Sequence, residues 1–282
     1  MQRSLWSFIS ALVLFTACTS QDQAVDVRAS QEHYRLGIEF AQYQLYRNSL
    51  DEFDLAIMTN PDNVEAYNKK GLVLFGMRRY DEAGGLFEEV LRRRPGHLQA
   101  HINLGIVNFS QQQLGDAEKR WQEAIHLSPE DNDSKAQNNL ANLYKQQKEF
   151  GRAIQYYKAA LQQEPGNTLY LNNLADTHRQ TGNFTAAEKI LRRSLELNPR
   201  GMLTHFYMGL LYRDQQRTGD AITAFQNSTQ VNPFQSETFY YLARTQLEAK
   251  DQTAAREAIQ RALQINPASE KYQTLLHSLQ ES

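Results

Sequence analysis

Residues 168–201 read TLYLNNLADTHRQTGNFTAAEKILRRSLELNPRG, and this stretch decides the fold. Its one proline, Pro199, lacks a backbone donor and disfavours helix in the residue before it, so it closes a helix. Upstream, Ala187 and Leu191 stand four apart, one small and one large, on the same face of that helix. Ala175 supplies a second small position in an earlier helix, and Asn167, two places beyond Pro165, offers an oxygen that can cap its free amides. The stretch reads as two antiparallel helices. Pro199 also belongs to a series: the seven prolines, at 61, 95, 129, 165, 199, 233 and 267, lie 34, 34, 36, 34, 34 and 34 residues apart. Internal periodicity of this kind outranks local propensity in deciding a fold.

With each proline as position 32, repeats begin at Ser30, Val64, Leu98, Ser134, Thr168, Met202 and Ser236. Position 8 is small throughout (Gly37, Gly71, Gly105, Ala141, Ala175, Gly209, Ala243), as is position 20 (Ser49, Ala83, Ala117, Ala153, Ala187, Ala221, Ala255). Position 24 is large (Phe53, Phe87, Trp121, Tyr157, Leu191, Phe225, Ile259) and fills the core. The departures are Lys70 at position 7, whose amine is expected to snorkel outward, Asn108 and Gln246 at position 11, and Gln137 at position 4. On these residues the chain is identified as a member of the tetratricopeptide repeat family. The resemblance implies an all-α fold, a right-handed superhelical solenoid of seven helix-turn-helix repeats over residues 30–269. Residues 270–282 then hold a capping helix, with Tyr272, Leu275, Leu276 and Leu279 on one stripe. Asn63, Asp133 and Asn167 are expected helix caps. The longer interval before Pro165 contains EDNDS, which either changes the superhelical twist or bulges without effect.

The N-terminus differs. Arg3 precedes an apolar run from Leu5 to Phe15, too short for a permanent membrane helix and consistent with a secretory signal over residues 1–17. Phe15-Thr16-Ala17-Cys18 resembles the lipobox of bacterial lipoproteins, with Phe15 where leucine is usual. The resemblance implies that Cys18, the one cysteine of the chain, carries the lipid, and that Thr19, not being aspartate, favours the outer membrane, facing the periplasm, with the inner membrane or the cell surface as alternatives. An ordinary signal peptide is the alternative, although Phe15 is too bulky for the small residue that such cleavage wants. Residues 18–29 then read as a flexible leash.

The family resemblance also places positions 2, 5, 6, 9, 12 and 13 of each repeat on an inner groove. In repeats one to three these include Tyr34, Ile38, Leu72, Phe75, Ile102, Ile106 and Phe109, an apolar surface. The middle is polar, with Asn139, Asn142, Lys145, Asn173 and Arg179, and the last repeats turn aromatic again with Phe206, Tyr207, Tyr241 and Arg213. Asn103, Asn139 and Asn173 share position 6, and an amide both donates and accepts. They form either a ladder for an extended peptide, as in some grooves of this family, or bonds to their own neighbours. Lys145, Arg179 and Arg213 share position 12 and either receive an acidic segment or stand as solvated charges.

The chain has 30 basic and 32 acidic residues, a balance that argues against a nucleic-acid partner. It shows no HExxH, phosphate-cradling glycine loop or serine elbow. Four of the seven histidines, His33, His101, His205 and His178, fall at packing positions, and His97 and His101 straddle a helix start. No enzyme activity, metal, cofactor or small-molecule substrate is expected. Lipobox plus repeats resembles the type IV pilus pilotins, which escort a secretin subunit to the outer membrane and promote its oligomerisation. A cell-envelope scaffold gathering peptidoglycan enzymes or proteases carries the same sequence features.

Overall fold

A computed structural model describes residues 26–127 and 134–279. The signal segment, Cys18, most of the leash, Asp133 and the rest of the longer link before Ser134 lie outside the described residues. Among the described residues there are fifteen helices and no strand. They come as seven pairs: α1 (Val27–Gln42) with α2 (Tyr46–Thr59), α3 (Val64–Gly76) with α4 (Tyr80–Arg93), α5 (Leu98–Ser110) with α6 (Leu114–Leu127), and α7 (Ser134–Gln146) with α8 (Phe150–Gln163). Then follow α9 (Thr168–Gln180) with α10 (Phe184–Leu197), α11 (Met202–Asp214) with α12 (Thr218–Val231), α13 (Ser236–Glu248) with α14 (Gln252–Ile265), and the unpaired α15 (Glu270–Ser278). From the second repeat on, each first helix starts at the residue where the proline count puts it. The first starts three residues before Ser30, because the Asp26 carboxylate accepts the Ala29 amide at 2.9 Å and opens the helix at Val27. Residues 27–29 are thus helix and not leash.

Among the described residues a proline follows the end of each second helix, and side chains finish the job that the missing donors leave. The His101 ring lies 2.9 Å from the Pro95 carbonyl, the His205 ring 3.0 Å from that of Pro199, and the Gln273 amide donates to that of Pro267 at 2.8 Å. All three stand at position 4 of the following unit, so a side chain of one repeat covers the open C-terminal end of the helix before it. Asn63 and Asn167 cap α3 and α9 through the amides of Ala66 and of Leu169 and Tyr170.

Within a pair the chain reverses at a residue of positive φ: Gln44, Arg78, Gln112, Lys148, Gly182, Gln216 and Lys250, with φ between 59° and 74°. Glycine occupies this left-handed position once, so the other six turns hold side chains in a conformation that L-residues disfavour. The helices of a pair meet at the small residues. A Cβ added at Gly71 would stand 2.7 Å from the Phe87 ring, and one at Gly209 only 2.5 Å from that of Phe225. Where position 8 is alanine, position 24 is Tyr157, Leu191 or Ile259.

The described residues form two compact units that divide between Val107 and Asn108. In the first, Phe53, Phe87, Leu74 and Leu104 anchor small clusters. In the second, one core runs from Ala175 to Leu279 and takes in Tyr272, while Leu275 and Leu276 pack at its edge, so α15 covers the last pair. Lys70 keeps its stem among apolar neighbours and pairs its amine with Asp54.

Candidate binding groove

In the first unit α1, α2 and α3 border an open hollow of ≈ 370 Å³. It is lined by Ile38, Ala41, Leu72 and Val73, with Phe53 beneath and Tyr46, Gly76 and Lys69 at the rim. Ile38 and Leu72, expected in the groove, meet here. Tyr34 is half-buried with its ring 6.1 Å from that of Phe53. Phe75 turns towards Tyr80, ring centroids 5.4 Å apart, and packs on the core instead of entering the hollow. Ile102 was expected on the groove but is 1% exposed. It is core, and so is not available on the groove. Ile106 and Phe109 stay half-buried, Phe109 tilted against Trp121 at 5.8 Å.

The asparagines resolve into pairs. The Asn103 amide donates to Asn68 Oδ1 at 3.0 Å, and the Asn173 amide donates to Asn138 Oδ1 at 3.1 Å. In each pair position 6 of one repeat meets position 5 of the repeat before, and all four residues are buried. These bonds are struts between stacked first helices, so Asn103 and Asn173 present no open ladder. Asn139 remains half-buried, and Asn142 accepts the Tyr157 hydroxyl at 2.5 Å.

The cation row of the second unit is likewise internally matched. Lys145 lies 3.2 Å from Asp176, and Arg179 lies 2.8 Å from Asp176 and also pairs with Asp214. Arg213 lies 3.0 Å from Glu248. Each position-12 cation thus meets an acid of the next repeat, at position 9 or 13, and the row is neutral. Asp176 is 5% exposed, and its two cations supply the counter-charge that burial requires. Burial opposes the Arg179 charge, but Asp176 and Asp214 outweigh it and raise the guanidinium pKa further. Burial, with Asp176 nearby, pushes the Tyr207 hydroxyl up to about 12.

Beyond this row Phe206, Tyr207 and Tyr241 form an edge-on aromatic group, with Phe206 5.6 Å from each of the other two and Phe225 stacked beneath Tyr241 at 6.1 Å. The Arg213 guanidinium stands 5.7 Å from the Tyr241 ring. Two buttresses of one design lie elsewhere in this unit. Arg152 lies over the Tyr144 ring at 3.7 Å while the Tyr144 hydroxyl donates to Glu118 at 2.5 Å. Arg217 lies over Tyr212 at 4.2 Å and reaches Glu188 at 3.4 Å. The histidines are engaged singly: His33 with Glu52 at 2.7 Å and His97 with Glu65 at 2.9 Å. Sequence reasoning missed Asp176 as the hub of the polar middle, where it joins Arg179 and Gln180 of its own helix to Lys145 of the repeat before.

A profile of the family described as the cilia and flagella-associated protein 70 C-terminal domain matches residues 47–282. The chain belongs to this family. No curated protein sequence matches it. Among solved structures, it is similar to a tetratricopeptide repeat protein from Parabacteroides merdae at 14% identity, covering 89% of this chain and 99% of that one, with a TM-score of 0.72. It is similar to PilF from Pseudomonas aeruginosa at 15% identity, covering 78% of this chain and 97% of that one, TM-score 0.66. It also resembles a chain of the APC/C hetero-tetramer Cut9-Hcn1 at 16% identity, covering 89% of this chain but 46% of that one, TM-score 0.70. At such identities the likeness shows the fold. The chain is a tetratricopeptide-type scaffold for protein–protein interaction.

Proposed function

We propose that this chain is a non-catalytic, lipid-anchored adaptor of the outer membrane that holds a hydrophobic segment of a partner protein, and that it acts as an assembly factor of the pilotin kind, with a secretin subunit as cargo. The observation that carries the reading is the apolar hollow between α1 and α3, open and lined by Ile38, Leu72 and Val73. An apolar concavity with a polar rim suits the side chains of an amphipathic helix. The polar middle of the second unit has spent its charges internally, so it fits as a spacer more than as a clamp. The lipobox ending at Cys18 and the fold similarity to PilF over nearly all of that chain are consistent with the reading.

Deleting the gene and assaying secretin multimers tests it. Loss of multimers is expected, with restoration by the native chain and none by Leu72→Asp. Normal multimers in the deletion strain would overturn the pilotin role and favour a scaffold for peptidoglycan enzymes or proteases. Cys18→Ser is expected to release the protein from the outer membrane. Unchanged fractionation of that variant would sink the anchor.

A further inference from the structure

The seven turns that join first to second helices occupy one structural slot, repeated along the chain. Three places into the turn, where the second helix is about to begin, later repeats carry Gln113, Glu149, Asn183, Arg217 and Asp251, all exposed and polar. The first repeat carries Leu45 there, 49% exposed. At the start of the turn the later repeats carry Gln111, Gln147, Thr181, Gln215 and Ala249, where the first two carry Tyr43, 69% exposed, and Met77, 39% exposed. The fold works with polar residues in this slot, so nothing in the packing asks for the tyrosine, leucine and methionine.

Gln42 and Tyr46 from one turn and Gly76 from the next line the same hollow, and Tyr43, Leu45 and Met77 adjoin these residues in the chain. Arg47 and Arg78 follow Tyr46 and Met77 in the chain, both exposed and without an ion-pair partner among the described residues, Arg47 lining a second hollow beside Asp51 and Asp54. Exposed aromatic and aliphatic groups with arginines next to them in the chain suit the boundary between acyl chains and headgroups, where rings sit at the interface and guanidinium groups reach phosphate.

We propose that this turn edge, built on Tyr43, Leu45, Tyr46 and Met77, rests on the lipid bilayer. The proposal relies on the anchor at Cys18 to bring the surface there. Eight residue-to-residue steps lead from Cys18 to Asp26, a reach of about 27 Å when extended. The 16 residues of α1 span about 24 Å, so an anchored chain can lay either end of α1 on the membrane. The edge-down arrangement sets the mouth of the hollow against the bilayer, where a hydrophobic cargo segment can be handed over without crossing water.

The test uses the full chain with vesicles of phosphatidylethanolamine and phosphatidylglycerol. Tryptophan placed in the slot by Leu45→Trp is expected to shift to the blue on vesicle binding and to be quenched by brominated acyl chains. Gln113→Trp, at the same slot in the third repeat, is expected to stay unquenched. In the Cys18→Ser background, Tyr43→Ser with Leu45→Ser and Met77→Ser is expected to weaken vesicle partitioning by about tenfold or more, helicity being unchanged. Vesicle-bound protein in which Leu45→Trp remains unquenched overturns the proposal and leaves the edge to a protein partner. Quenching at Leu45→Trp in a chain whose native Cys18 form stays soluble in cells would remove the anchor while upholding the surface.

Discussion

Single residues in this chain are judged by what stands opposite them one helix away. Gly209 is glycine because the Phe225 ring occupies the space of a Cβ. Gly209→Ala is therefore expected to destabilise by about 1–3 kcal/mol through overpacking, seen as a lower urea midpoint. Gly209→Ala combined with Phe225→Leu, the pairing found in the repeat with Ala175 and Leu191, is expected to recover part of the loss. Asp176 is a second such residue. Asp176→Asn leaves Lys145 and Arg179 short of counter-charge, and a loss of about 2 kcal/mol is expected, below the range for fully buried pairs because both cations are partly solvated. Lys148 illustrates the opposite case: its φ of 63° suits glycine, so Lys148→Gly is expected to raise the melting temperature, worth about 0.5–1 kcal/mol. None of these three environments is written in the local sequence. Only Gly182 announces its turn, since the other six positions of the series hold glutamine, arginine or lysine.

At the scale of the helix, boundaries are set by caps and prolines, and the last helix by what it covers. Removing residues 270–282 uncovers the core around Ala258, Ile259 and Leu242, and is expected to lower stability and increase binding of a hydrophobic dye. The helix α9 carries a pH response. Burial lowers the His178 pKa, with Lys158 adding to the effect, and its Nδ1 is buried without a hydrogen-bond partner. The folded state thus binds the proton less readily than the unfolded chain. The associated stability is full above the unfolded value near 6.5 and is lost as pH falls below it. The thermal midpoint is expected to fall between pH 7 and 5, and His178→Leu to flatten that slope. An equal slope in the variant would assign the acid sensitivity elsewhere.

At the scale of the molecule, repeat arrays hold together by contacts between neighbours, so damage should stay local. Gly71→Ala in the first unit and Gly209→Ala in the second are expected to reduce hydrogen-exchange protection each mainly in its own unit. Uniform loss across the chain from either one would indicate a single cooperative body. What the sequence by itself determined was the architecture: seven prolines and two columns of small residues repeat at one period, and a pattern that serves every repeat is visible without knowing any contact. The apolar surface near Ile38 and Leu72 was legible for the same reason, as departures from polarity on a known face. Tertiary structure alone decided which groove residues are available. Asn103 and Asn173 are bonded to Asn68 and Asn138, Lys145 to Asp176 and Arg179 to Asp214, because stacking sets residues some thirty-odd places apart side by side, and Ile102 is buried in the core. Periodicity tells which face a side chain is on. Only the neighbouring repeat tells whether anything is left of it to bind a partner.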